Sequence, residues 1–216
     1  MTGNVKMAPE VAFQSGLDAY NNGDYKSAAK SFALAAKQNP DDARYHFYRG
    51  ASFLNLGKAY EGTTSLDKAI DCDPSNAEAY YLRGKCFMLG LDDERAAKDF
   101  SEAVARNQHE SKYHYERAIA HLEGKRYIDA LVDFENYFSL TAEPTADSLC
   151  HYGWCLAGLG STDKAMEFYK RALELDKNCA TAQFYLASLQ FDHSNFDDAL
   201  GSLKLAQQLY DQEKNK

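Results

Sequence analysis

The residues of this chain that could carry out chemistry are a group of histidines and a group of cysteines. His109, His114 and His121 lie close together in sequence, and His114 and His121 are seven residues apart, which places them on one face of a helix. A metal site needs further ligands at suitable spacing, and the nearby Glu110 and Glu123 have the pattern of ordinary surface residues. We therefore predict that the chain holds no metal ion and no other cofactor.

The cysteines form no recognisable ligand or redox pattern. They are Cys72, Cys86, Cys150, Cys155 and Cys179. Cys150, His151 and Cys155 are near one another, as a reactive thiol would require, but no third residue is placed to orient the histidine. Neither a Cys-x-x-Cys pair nor a zinc-ligand spacing occurs. The cysteines are predicted to be reduced thiols in a cytoplasmic protein.

Other features argue against catalysis and against several kinds of partner. The sequence contains no glycine-rich phosphate loop, no paired catalytic carboxylates and no nucleophile elbow, so we predict that the protein is not an enzyme. Its net charge of −8 disfavours binding to nucleic acid or to an anionic membrane, since phosphate contacts need an excess of lysine and arginine. No apolar run has the length of a signal peptide or a membrane span, so no membrane insertion is expected.

A 34-residue repeat runs through most of the chain. The segment from Phe47 to Gly50 recurs as Tyr81 to Gly84 and as Tyr115 to Ala118, each time 34 residues further along. With one extra residue near Pro144 and Thr145, this frame predicts one domain over residues 9–213, preceded by an N-terminal extension over residues 1–8. Its six repeats are 9–42, 43–76, 77–110, 111–144, 146–179 and 180–213.

Certain positions of the repeat hold the same kind of residue in nearly every copy. The eighth position is small: Gly16, Gly50, Gly84, Ala118, Gly153 and Ala187. The twentieth and twenty-seventh are also small, apart from Tyr137, and the twenty-fourth is bulky: Phe32, Leu66, Phe100, Phe134, Tyr169 and Leu203. Two helices approach closely only where their side chains are small, and the bulky residue would fill the space between successive helix pairs.

These framework positions resemble those of the tetratricopeptide repeat (TPR) family, over residues 9 to about 213. The resemblance implies an all-α fold, a right-handed superhelical solenoid of antiparallel helix pairs, because one pair cannot bury its apolar face alone. It also implies a role in binding proteins, in which the first helix of each repeat lines a concave groove through positions 2, 5, 9, 12 and 13.

The residues at these groove positions are unusually aromatic. Position 5 is aromatic in five of the six copies, and positions 6 and 9 lie near the same surface. The candidate groove residues are Phe13, Leu17, Phe47, Tyr48, Tyr81, Lys85, Tyr115, Ile119, Trp154, Phe184 and Tyr185. They predict a surface for an extended or helical peptide that carries an apolar or aromatic segment. The alternative is that these rings pack between adjacent helices.

One class of ligand does not fit the groove residues. The chaperone-binding members of the family grip a C-terminal carboxylate with Lys and Asn on the first groove helix, and here those places hold Phe13 and Leu17. Moving the frame to the second or third repeat gives no better match. Chaperone C-terminal tails are therefore not expected as partners.

A further pattern concerns charge within the repeats. Arginine occupies position 7 in three copies: Arg49, Arg83 and Arg117. Asp99 and Asp133 follow the last two of these by sixteen residues, and Ser65 stands at the matching place in the second repeat. We predict an ion pair between each arginine and its aspartate, which would satisfy a half-buried guanidinium.

Taken together, these patterns predict a scaffold or adaptor that binds another protein or peptide in an aromatic-lined groove. The alternative is a self-assembling structural unit that forms homo-oligomers. The last helix, roughly Phe196 to Asp211, is followed by no separate capping helix, so a second copy could cover it.

Overall fold

The computed structural model describes residues 8–192 and 194–214. Within these ranges the chain forms twelve α-helices and no strand. The helices are α1 (Pro9–Asn21), α2 (Tyr25–Gln38), α3 (Ala43–Asn55), α4 (Ala59–Cys72), α5 (Ala77–Leu89), α6 (Asp93–Arg106), α7 (Ser111–Glu123), α8 (Tyr127–Leu140), α9 (Ala146–Gly158), α10 (Thr162–Leu175), α11 (Ala180–Asp192) and α12 (Phe196–Lys214).

The helices form antiparallel pairs, which confirms the predicted all-α class. The first helix of each pair begins at the residue that opens a sequence repeat: Pro9, Ala43, Ala77, Ser111, Ala146 and Ala180. Several starts carry a side-chain cap, as where Asp24 accepts a hydrogen bond from the Ser27 amide at 3.0 Å. The tight turn inside the second pair places Gly57 at a φ of 70°, a left-handed conformation that glycine adopts without strain.

Small and large residues meet between the two helices of a pair, as the repeat pattern predicts. A Cβ atom added to Gly84 would lie 2.6 Å from the Phe100 ring, and one added to Gly153 would lie 2.5 Å from Tyr169. The bulky twenty-fourth residue is fully or almost fully buried in five repeats. Leu203 is the exception at 40% exposed, because no helix after α12 covers that side within the described residues.

The chain divides into two compact units, Met1–Tyr113 and His114–Lys216. In the first unit, one core cluster forms around Phe32 and Tyr45 and another around Leu66 and Tyr80. In the second unit, clusters form around Phe134, around Cys150 and around Tyr169. The predicted single domain over residues 9–213 and the N-terminal extension over residues 1–8, of which only the last residue is described, stay predictions.

Candidate functional site

In the first unit, the earliest groove residues belong to the packed interior. Phe13 is only 5% exposed, and its ring centroid lies 5.6 Å from that of Phe32 and 5.1 Å from that of Tyr45. Tyr48 covers Phe13 from another side at 5.6 Å, and Leu17 packs against the same cluster. Phe13 therefore stabilises the first two helix pairs and offers little surface to a ligand.

The remaining groove residues of this unit are half-buried. Phe47 meets Tyr48 edge to face at 5.2 Å, so each ring is held by its neighbour. Tyr81 packs against Tyr113 at 5.2 Å between centroids, and the ammonium of Lys112 lies 5.0 Å from the centre of the Tyr81 ring. Lys85, also half-buried, follows one helical turn after Tyr81 on α5. These side chains are ordered by packing and keep part of their surface accessible.

In the second unit, Tyr115 is tied into the fold by its hydroxyl group. That hydroxyl is hydrogen-bonded to His151 Nδ1 at 2.8 Å, and the Tyr115 ring lies 5.1 Å from Tyr137. Burial raises the pKa of Tyr115 and lowers the pKa of His151, so both groups are neutral near pH 7. Ile119, one helical turn further along α7, packs against the cluster around Phe134.

Three aromatic groove residues of the second unit form a surface that we call the aromatic ledge: Trp154, Phe184 and Tyr185. The Trp154 and Tyr185 rings are stacked at 5.7 Å with an interplanar angle of 23°, and Tyr185 stacks in turn on the buried Tyr169 at 5.5 Å. Phe184 meets Tyr185 edge to face at 5.7 Å and is 47% exposed. In the aromatic ledge, Trp154 and Tyr185 are therefore held in place by stacking, and Phe184 is accessible to a ligand.

The groove residues thus lie at very different depths. Nine of the eleven are half-buried, whereas Phe13 is buried and Phe184 is exposed. Half-burial is what packing between helices produces, and it is also what a preorganised binding surface requires. A binding role for these residues stays a prediction.

The predicted arginine–aspartate pairs are confirmed. Arg83 donates to both carboxylate oxygens of Asp99 at 2.7 Å, and Arg117 donates to those of Asp133 at 2.9 and 2.6 Å. Arg83 also reaches Asp67 on α4 at 2.7 Å, a partner that the sequence analysis missed. Asp67 precedes Arg83 by sixteen residues, so a search in both directions along the repeat would have found it.

The histidine group surrounds one of these pairs. His114 Nδ1 and His121 Nδ1 each lie 3.7 Å from the Asp133 carboxylate, and His109 is exposed. Burial lowers the pKa of His121, which favours its neutral form. Within residues 8–192 and 194–214, no three His, Cys, Asp or Glu side chains are grouped as metal ligands would be.

The cysteines are all free, and most are buried. Burial raises the pKa of Cys155 to about 11, and its thiol donates to the Tyr127 carbonyl at 3.0 Å, so it lacks the character of a nucleophile. Cys150 and Cys179 lie 3.7 Å apart between their sulfur atoms. This proximity was not predicted, because Cys150 lies on α9 whereas Cys179 directly precedes α11, and the spacing of 29 residues between them matches no known motif.

A cavity of about 490 Å³ in the second unit was also missed. Its lining includes Phe138, Leu149, Tyr152, Phe168, Glu135 and Arg171. Tyr152 and Phe168 occupy the repeat positions that hold Arg117 and Asp133 one repeat earlier, and their rings lie 4.7 Å apart. Comparing these two positions between repeats would have pointed to an aromatic pair in place of an ion pair.

Across the part of the chain that the structure describes, every helix is too short or too polar to cross a bilayer.

Comparison with known proteins gives partial matches to larger curated proteins. The chain is 30% identical over 80 residues to Hsp70-Hsp90 organizing protein 3 of Arabidopsis thaliana, a match that covers 37% of this chain and 14% of that protein. It is 25% identical over 192 residues to serine/threonine-protein phosphatase 5 of Homo sapiens, covering 82% of this chain and 38% of the phosphatase. The aligned regions thus span well under half of either relative.

A solved structure of similar shape is that of YrrB, a TPR protein with an unusual peptide-binding site. It is 22% identical, with a TM-score of 0.69, and the match covers 84% of this chain and 93% of YrrB. At this identity the likeness shows the fold. Sequence models of the tetratricopeptide repeat match residues 13–77, 92–139, 146–179 and 169–214, which together make up most of the chain. The chain belongs to the tetratricopeptide repeat family.

Proposed function

We propose that this protein is an interaction scaffold that binds a peptide or protein segment through the groove residues, with the aromatic ledge as its principal anchor. The main support for this proposal is the arrangement of the ledge, in which the exposed Phe184 lies beside a Trp154–Tyr185 stack that packs on Tyr169. Rings that are already fixed lose little side-chain freedom on binding, so more of the contact energy contributes to affinity.

The chemistry of the ledge favours an apolar or aromatic segment. Trp154, Phe184 and Tyr185 present ring faces and edges, which pair with other rings or with aliphatic side chains. The name of one relative, Hsp70-Hsp90 organizing protein 3, raises the question of a chaperone ligand. Against this, Phe13 and Leu17 stand where that clamp needs Lys and Asn, and Phe13 is buried. We do not propose chaperone tails as partners.

The proposal can be tested with the chain's own fluorescence, because Trp154 is its single tryptophan. Peptides are selected on the purified protein from a random library displayed on phage and are then titrated in solution. A selected peptide that covers the ledge changes the Trp154 emission and protects it from acrylamide quenching. Phe184→Ala is expected to weaken binding of such a peptide by at least about tenfold, since truncating a central aromatic anchor costs about 2 kcal/mol or more and tenfold corresponds to about 1.4 kcal/mol.

Ile128→Ala is the matched control, because Ile128 is an exposed apolar residue on α8, the second helix of its pair. It should leave both the affinity and the emission change intact. Selected peptides that bind the Phe184→Ala protein as tightly as the wild type, without altering Trp154, would place the binding surface elsewhere.

A second candidate is self-assembly, and α12 provides the observation that favours it. Phe196, Leu200, Leu203 and Leu205 on this helix are all exposed large apolar residues. A second copy could bury them. Light scattering tests this directly: association that strengthens with concentration and is lost in Leu200→Lys supports it, and a monomer at all concentrations rejects it.

A further inference from the structure

Arg49 on α3 is held differently from the two arginines at the same repeat position. Its Nε atom is buried and has no hydrogen-bond partner among the described residues. Its guanidinium lies over the Phe53 ring, 5.4 Å from the ring centroid. Within residues 8–192 and 194–214, no carboxylate forms an ion pair with it.

The repeat explains what is missing around Arg49. Arg83 binds Asp99 within its own pair and Asp67 on the preceding pair, both at 2.7 Å. One repeat earlier, the residue that corresponds to Asp99 is Ser65 and the residue that corresponds to Asp67 is Ala33. Ser65 is buried, and its hydroxyl donates to the Glu61 carbonyl at 2.8 Å. The second repeat therefore keeps the cation but lacks both carboxylates.

A cavity occupies the place that the missing side chain would fill. It measures about 120 Å³ and is lined by Arg49, Tyr60, Glu61, Thr64, Ser65 and Lys68. Lys68 adds a second positive charge at the exposed edge, one helical turn after Thr64. The carboxylate of Glu61 is the one negative group in this lining, and it pairs with Lys58 at 3.7 Å. An anion can therefore approach two cations with hydroxyl groups beside them.

We propose that this cavity binds a carboxylate, which takes the place that Asp99 and Asp133 fill in the next two repeats. The guanidinium fork is geometrically matched to a carboxylate, and the chain itself uses that pairing twice at the equivalent position. The ligand class is an external carboxylate, supplied by an acidic side chain of a partner protein or by a small carboxylic acid. No groove residue lines the cavity, so the site is independent of the proposed peptide surface.

Ser65→Asp tests the site by supplying the carboxylate from within. The new aspartate should pair with Arg49 as Asp99 pairs with Arg83, and raise the Tm by about 2–4 °C, the shift that corresponds to about 1 kcal/mol in a chain of this size. Ser31→Asp is the control, because Ser31 has the same repeat position in α2 and position 7 of that repeat is Ser15 instead of an arginine. It should bring no gain. In an Arg49→Met background, Ser65→Asp should lower the Tm, since the carboxylate is then buried alone.

The ligand itself is tested on the wild-type protein by observing the Arg49 Nε–H signal in an NMR spectrum. The protein is titrated with sodium acetate against sodium chloride at equal ionic strength. A saturable shift of this signal that is absent in Ser65→Asp supports the site. A wild-type spectrum in which acetate and chloride act alike at Arg49 overturns it.

Two capped peptides, acetyl-Ala-Glu-Ala-Ala-amide and its Gln analogue, then distinguish the two sources of carboxylate. Tighter binding of the Glu peptide than of acetate identifies a protein side chain, and equal or weaker binding identifies a small acid. Phe184→Ala should abolish peptide binding at the aromatic ledge and leave carboxylate binding at Arg49 unchanged. Either proposal can therefore be refuted while the other stands.

Discussion

Replacing Asp133 with alanine tests how much the buried Arg117–Asp133 ion pair contributes to the stability of the second unit. Asp133 is only 2% exposed and accepts two hydrogen bonds from Arg117, at 2.9 and 2.6 Å. His114 and His121 lie 3.7 Å from the same carboxylate. Asp133→Ala therefore removes a carboxylate that lies close to all three of these side chains.

The expected cost follows from the burial of the two partners. Breaking a buried ion pair by removing one member costs about 3–5 kcal/mol, because the other charge stays desolvated. The Arg117 side chain is 19% exposed and can be partly hydrated, so we expect the lower end, about 3 kcal/mol. That corresponds to a fall in Tm of about 6–12 °C for a chain of this size.

The assay is urea denaturation followed by circular dichroism, with thermal melting as a second measure. Asp67→Ala is the matched control, since Asp67 pairs with Arg83 at 2.7 Å but its side chain is 50% exposed. An exposed pair contributes about 0–1 kcal/mol, so this variant should be nearly as stable as the wild type. An unfolding free energy of Asp133→Ala within error of the wild type would refute the argument, and so would an equal loss in Asp67→Ala.

Two further predictions concern packing and pH. Gly84→Ala should lower the unfolding free energy by about 1–3 kcal/mol, because its Cβ would lie 2.6 Å from the buried Phe100 ring, whereas Gly201→Ala should raise it by about 0.5–1 kcal/mol, since nothing lies within 4 Å of a Cβ there. Burial lowers the pKa of His121 below 6.5, so the unfolded chain binds more protons and stability should fall as the pH drops below about 6.5. Denaturation curves at several pH values should show a shallower fall in His121→Gln; an identical pH dependence would exclude His121 as a cause.

The repeat pattern predicted the helices well because close packing of identical units leaves few choices. Only small residues fit where two helices cross, and Gly84 against Phe100 shows the geometry that the sequence implied. The Arg117–Asp133 pair followed from the same frame, since the residues at positions 7 and 23 are also in contact in the third and fifth repeats. Features repeated within the frame were therefore predictable from spacing alone.

The exposure of each groove side chain could not be predicted from the repeat pattern. Phe13 and Phe184 share repeat position 5, but the first is 5% exposed and the second 47% exposed. Tyr45 and Tyr48 cover Phe13, while Phe184 meets Tyr185 alone among the aromatic rings of the described residues. Repeat position determines the direction of a side chain, and its exposure depends on the neighbours that each repeat supplies.

The repeat also acts as an internal reference that shows where the chain departs from its own rule. Positions 7 and 23 hold a different pair of residues in different repeats. The pair is Arg83 with Asp99 in the third repeat, Tyr152 with Phe168 in the fifth, and Arg49 with Ser65 in the second. The first is a satisfied ion pair and the second is a packed aromatic pair beside a cavity of about 490 Å³. In the third pair, Arg49 faces a cavity of about 120 Å³, and its Nε atom has no hydrogen-bond partner among the described residues. A half-buried guanidinium such as that of Arg49 lowers stability when it lacks its usual counter-ion, so an external carboxylate that pairs with Arg49 should stabilise the protein.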